Sequence, residues 1–129
     1  MTGLHDPENT KCAISINGVT DPFEIMNTGP ITLAYWTQYM GDLYRTSGKD
    51  KRAITPKDRA KEYQIPLLLI HGKEDTTVPY DQSSQFARKA DTATLVTMPG
   101  DDHGMYNTAS RRKVIEESLA YLDARHPAK

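Results

Sequence analysis

The sequence has one cysteine in 129 residues, Cys12, so no disulfide framework forms within the chain and the redox compartment stays open. Long apolar runs are missing. The longest, Leu67-Leu68-Leu69-Ile70, lies between Pro66 and His71, far short of the roughly 18 residues a membrane span requires. Neither sign of charge is in excess: 16 Lys and Arg stand against 17 Asp and Glu, for a net charge of -1. That balance excludes the basic footprint of a nucleic-acid binder and an acidic tail. The opening Met1 to Pro7 has neither a basic n-region nor an apolar h-region, so it does not read as a signal peptide. Hydrophobic residues make up 37% of the chain, below the roughly 45–50% apolar share of average globular chains. The length suits one domain, and the composition is polar for one that buries its own core. The 8 Gly and 8 Pro punctuate the chain without forming a linker, repeat or low-complexity tract.

Three short apolar runs stand out, at about residues 12–16, 67–70 and 94–98. Each is closed by a turn signal: Asn17-Gly18, His71-Gly72 and Pro99-Gly100. All three read as buried strands. Helical patterns fall between and after them. Residues 30–40 open on Pro30 and stop at Gly41, with Leu33, Trp36 and Met40 on one face. Residues 79–90 place Phe86, Ala87 and Ala90 inward and Arg88 and Lys89 near the end. In residues 108–124, Ile115, Leu119 and Leu122 recur at i, i+4 and i+7 among charged neighbours, which predicts an amphipathic helix packed through that stripe. A shorter helical turn is expected from Thr55-Pro56 to about Glu62. Strands apolar on both faces, alternating with helices, predict a parallel sheet in an α/β layer fold. Three strands make a small sheet of this kind, so part of the core is expected to lie outside this chain.

The segment Ile65-Pro66-Leu67-Leu68-Leu69-Ile70-His71-Gly72-Lys73-Glu74-Asp75-Thr76-Thr77-Val78-Pro79 resembles a signature of the α/β-hydrolase fold, and most closely the catalytic domain of the prolyl oligopeptidase family of serine peptidases. There the next-to-last core strand runs into H-G-x-x-D-x-x-V-P, whose Asp is the acid of the catalytic triad. The resemblance thus implies Asp75 as acid. Leu95-Val96-Thr97-Met98-Pro99-Gly100-Asp101-Asp102-His103-Gly104 is similar to the family's last strand and histidine loop, which implies His103 as general base. Lys11 to Asp21, with its Cys12–Ile16 strand, is similar to the strand after the nucleophile helix, and Tyr35-Trp36 with Gly41-Asp42 also fits. The likeness runs from about residue 10 to 124. Independently of it, Asp75 and His103 both follow the carboxyl ends of strands that, as sheet neighbours, would lie about 4.8 Å apart. An Asp bonded to imidazole Nδ1–H holds the tautomer in which Nε2 takes a proton from a serine.

The nucleophile itself is missing. A G-x-S-x-G elbow should precede the Asp and His, and none of Ser15, Ser47, Ser83, Ser84, Ser110 and Ser118 has glycines at those positions. Cys12 lacks them too and reads as a small buried residue. By the resemblance Met1 would fall inside the nucleophile helix. Residues 1–129 are therefore expected to be a single partial domain, the C-terminal portion of a peptidase domain, inactive alone. In the complete enzyme it would act on peptide or acyl-peptide substrates without a cofactor.

Other readings stay open. Asp75 could simply cap backbone N–H groups in its turn. His71 reads as a strand-end packing residue, and His5 and His126 carry no signal. No pair among His71, Asp75, Asp101, Asp102 and His103 has a known ligand spacing such as H-x-x-x-H, so no metal site is assigned. Tyr35, Trp36 and Tyr39 form either a stacking face for a substrate group or a core tryptophan with tyrosines at its rim. A non-catalytic module is the alternative, self-associating or binding another polypeptide through the exposed edge of the Cys12–Ile16 strand.

Overall fold

Six consecutive residues, Leu67–Gly72, form the middle strand of a parallel sheet, and every one of them is buried. The computed structural model describes residues 6–26, 28–41 and 48–125. Strand β1 (Ala13–Ile16) pairs with β2 (Leu67–Gly72) in the register Ala13 to Leu67 through Ile16 to Ile70. On its other side β2 pairs with β3 (Ala93–Met98), Leu67 opposite Ala93 and Gly72 opposite Met98. The three strands, in the order β1-β2-β3, match the expected runs within a residue or two at each end.

Parallel neighbours need crossovers. The β1–β2 connection contains α1 (Pro22–Met26), α2 (Pro30–Met40), α3 (Gly48–Ile54) and a 3₁₀ helix over Pro56–Glu62. The β2–β3 connection is α4 (Asp81–Lys89), and α5 (Thr108–Asp123) closes the chain. Because side chains alternate along a strand, the sheet carries one apolar cluster on each face. Leu67 and Leu69 meet Phe86, Ala90 and Ala60; Leu68 and Ile70 meet Met98, Met105 and Tyr121. Each such fully buried aliphatic side chain is worth about 1.5–3 kcal/mol over its exposed state. No helix among the described residues is long and apolar enough to cross a membrane.

Two expectations are corrected. In α5 the stripe Ile115, Leu119 and Leu122 does not pack: these residues are 58%, 55% and 39% exposed, and Ser110, Val114 and Tyr121 turn inward instead. Periodicity finds a face but not what lies against it. In α2 no residue is buried, so Trp36, which one of the two readings of its aromatic cluster puts in the core, is only half-buried. Residues 79 and 80 precede α4, α1 and α3 were not expected, and Ser47, Asp42, His5 and His126 lie outside the described residues.

A buried polar network fixes the segment leaving β1. Gln82 of α4 accepts at Oε1 from the amides of Thr20 (2.9 Å) and Asp21 (2.6 Å), and its Nε2 donates to Glu24 (2.9 Å). Thr20 Oγ1 donates to the Gln82 carbonyl at 2.7 Å. Lys57 then bridges Asp21, at 2.9 Å, and Glu24. Burial acts to lower the Lys57 pKa, and the bonds to Glu24 and Asp21 outweigh it, so the group sits above its ordinary value. The network ties the start of α1 to α4 and the 3₁₀ helix.

Candidate active site

The turn that follows β2 is built on its glycine. Gly72 is buried, and the next amides are tied to the exit of β3: Lys73 N donates to Met98 O and Glu74 N to Asp101 O, both at 2.9 Å. Asp75 therefore emerges beside the end of the neighbouring strand, with its side chain fully shielded from solvent. Its two oxygens do different work. Oδ1 accepts from the amides of Thr77 (2.9 Å) and Val78 (2.8 Å), and Oδ2 lies 2.8 Å from His103 Nδ1. The turn-capping role and the pairing with His103, which the residues alone left as alternatives, both occur in one carboxylate.

The loop carrying His103 is held at several points. Gly100 takes φ +73°, in the left-handed region that favours glycine. Asp101 is buried; it accepts from Asn107 Nδ2 at 2.9 Å and from Ser110 Oγ, tying the loop to the first turn of α5. Asn107 also caps that helix, accepting from Ser110 N at 2.7 Å. Asp102 accepts from the amides of Gly104 and Met105 at 2.9 and 3.2 Å. Both aspartates thus bond to their own loop and helix, not to His103. Asn17, just past β1, completes the frame: its Nδ2 donates to the His103 carbonyl at 2.7 Å and its Oδ1 accepts from Gly72 N at 2.9 Å. Asn17 is the turn residue that the Asn17-Gly18 pair predicts, with φ of +47°. Its second role, joining the ends of all three strands, has no signature in a single sequence.

A carboxylate only accepts, so Nδ1 of His103 carries a proton, and in the neutral ring Nε2 presents a lone pair. The ring is 44% exposed and borders a cleft of about 500 Å³ walled by Val19, Ile25, Ile31, Tyr35, Trp36 and Val78. Trp36 is half-buried there, while Tyr35 and Tyr39 are 61% and 74% exposed. An imidazole steered by a shielded carboxylate at the rim of an apolar cleft can, in its neutral form, take up a proton at the nitrogen that faces away from that carboxylate. None of the described serines sits on a strand-to-helix elbow: Ser15 is in β1, Ser83 and Ser84 in α4, Ser110 and Ser118 in α5. Cys12, a free thiol, is half-buried against the Leu68 cluster.

A parallel sheet with an Asp and a His paired at the carboxyl ends of adjacent strands defines a partial α/β-hydrolase fold. The model of the prolyl oligopeptidase family matches residues 1–126, and the chain belongs to that family. Among curated proteins it is similar to the bifunctional esterase/perhydrolase DCH of Acinetobacter calcoaceticus, 27% identical over 97 residues, which are 72% of this chain and 35% of that protein. Among solved structures it is similar to the acylaminoacyl peptidase of Pyrococcus horikoshii, with a TM-score of 0.81 and 24% identity, over 95% of this chain and 21% of that one. It is also similar to a Mycobacterium tuberculosis puromycin-hydrolyzing peptidase, with a TM-score of 0.77 and 23% identity, over 98% of this chain and 20% of that one. The chain thus spans about a third of the curated relative and a fifth of these structures.

Proposed function

We propose that Asp75 and His103 are the acid and base of a Ser–Asp–His triad whose serine is not among the residues of this sequence, and that the complete protein hydrolyses peptide, acyl-peptide or related ester bonds. The observation that carries this reading is the 2.8 Å contact between Asp75 Oδ2 and His103 Nδ1, with the acid shielded and the base facing an apolar cleft. In the reaction the serine hydroxyl attacks the substrate carbonyl while His103 Nε2 takes its proton. His103 returns that proton to the leaving amine or alcohol, and water then releases the acyl group by the same base catalysis. The cleft would take an apolar group of the substrate. Family membership supports a serine hydrolase, and the esterase name of the curated relative agrees with acyl chemistry. Without a serine on a nucleophile elbow and the oxyanion-hole amide that follows it, this chain is inactive by itself. Fluorophosphonate labelling tests this: the chain alone stays unlabelled, while a longer chain carrying a G-x-S-x-G elbow ahead of it is labelled on that serine. Strong labelling of this chain, or none of the longer one, overturns the proposal.

A second reading rests on a different face. Among the described residues β1 has one strand neighbour, β2, and Ile16 at its end is 49% exposed, as are Ile115 (58%) and Leu119 (55%) on α5. A free strand edge beside exposed apolar side chains pairs readily with another strand. The occupant in the complete protein would be a strand and helix of the same domain; in the isolated chain it would be a second copy. Sedimentation velocity should show concentration-dependent dimers, weakened by Ile115→Glu with Leu119→Glu. A concentration-independent monomer would remove the motive for this reading.

A further inference from the structure

Asp75 has a second imidazole beside it. His71, fully buried at the end of β2, places Nε2 2.8 Å from the Val78 carbonyl and 3.4 Å from Asp75 Oδ2, and its Nδ1 2.7 Å from Ser83 Oγ. A carbonyl oxygen only accepts, so Nε2 carries a proton, and in the neutral ring Nδ1 receives the hydroxyl of Ser83. The serine, histidine and aspartate here have the residue types of a triad, but His71 and Ser83 are both 0% exposed, beyond the reach of any substrate. The 3.4 Å approach to Oδ2 is longer than an ordinary N–H···O bond, so the main bond of Nε2–H is the one to Val78.

That bond bears on the triad acid. Val78 donates its amide to Asp75 Oδ1 at 2.8 Å and accepts His71 Nε2–H on its carbonyl, so His71 clamps the residue that orients the carboxylate. Around the ring the charged neighbour is Asp75 itself. Tyr80 lies edge-on at 5.9 Å between ring centroids, and Lys73 sits 4.0 Å from the Tyr80 centroid. The geometry points to His71, anchored by Ser83, as a positioning residue that aims Asp75 at His103. This rests on the triad reading above, in which the aim of Asp75 sets the tautomer of the base. Loss of the clamp leaves a buried carbonyl without its donor, and the 75–78 turn relaxes to find another.

The test reads histidine ring protons of this chain by ¹⁵N-edited NMR and needs no catalytic activity. The expected wild-type state is His71 in the Nε2–H tautomer, with a downfield, exchange-protected His103 Nδ1–H. His71→Leu should lose the His103 signal to solvent exchange. His71→Gln, whose amide nitrogen reaches the Nε2 position, should restore it, and His71→Asn should not. Where His71→Leu does not fold, Ser83→Ala carries the test: exchange of His103 Nδ1–H should quicken about tenfold, the equivalent of one ordinary hydrogen bond. A Nδ1–H tautomer at His71, or an unchanged His103 signal in folded His71→Leu or in Ser83→Ala, overturns the proposal. Failure of the triad reading looks different: the ring protons stay coupled while Asp75 and His103 variants of the longer, serine-bearing protein keep full activity.

Discussion

In the serine-bearing protein, His103→Ala is expected to lower kcat about 10⁴-fold with little change in KM, a loss of roughly 5 kcal/mol in transition-state stabilisation. Asp75→Asn is expected to match it for a more informative reason. An asparagine at residue 75 keeps an oxygen that can accept from the Thr77 and Val78 amides, so the turn survives. Its NH₂ group then faces His103 Nδ1, where the native carboxylate accepts. The ring must present a lone pair there and move its proton to Nε2, which can no longer act as a base. Steady-state kinetics beside thermal melting separates this from unfolding: the Asn variant should melt close to the native protein while losing its rate. Rates within tenfold of native for either variant would remove Asp75 and His103 from the chemistry.

Much of this site could be read from the sequence because strands and their exits are local. Leu67 to Ile70 is apolar at successive positions between Pro66 and His71-Gly72, as a strand covered on both faces requires, and the sheet supplies both covers. Asp75 and His103 follow turn signals at two such strand ends, so their meeting required only that β2 and β3 be neighbours. What escaped depends on non-local partners. Ile115, Leu119 and Leu122 have the spacing of a packed face, yet the sheet lies against Val114 and Tyr121 on another side of α5. Ile115 of that exposed stripe lines the groove beside Ile16 and His103. Gln82 and Lys57 are polar residues that a sequence places on the surface, and each is buried because its bonds are made by segments far away in the chain.

Gly72→Ala is expected to damage both stability and catalysis, because β2 and the histidine loop touch at this glycine. A Cβ built on Gly72 would sit 2.6 Å from the carbonyl oxygens of both Asp101 and Asp102. Those are backbone atoms, and neither can swing aside as a side chain would. Asp101 O already accepts from Glu74 N at 2.9 Å, and the Asp101 side chain is locked to α5 through Asn107 and Ser110. The loop must then shift as a unit and carry His103 away from Asp75. Overpacking of this kind costs about 1–3 kcal/mol, which for a domain of this size lowers Tm by roughly 4–12 °C. A displacement of about 1 Å at the base costs a further 10²-fold or so in rate. Gly29→Ala is the matched control: its φ of 168° is extended backbone open to any residue, and a Cβ there meets nothing within 4 Å. A native Tm and rate for Gly72→Ala would mean that the histidine loop is not held against β2. A fall in both, with Gly29→Ala unchanged, ties the aim of His103 to the one position in β2 where a side chain cannot fit.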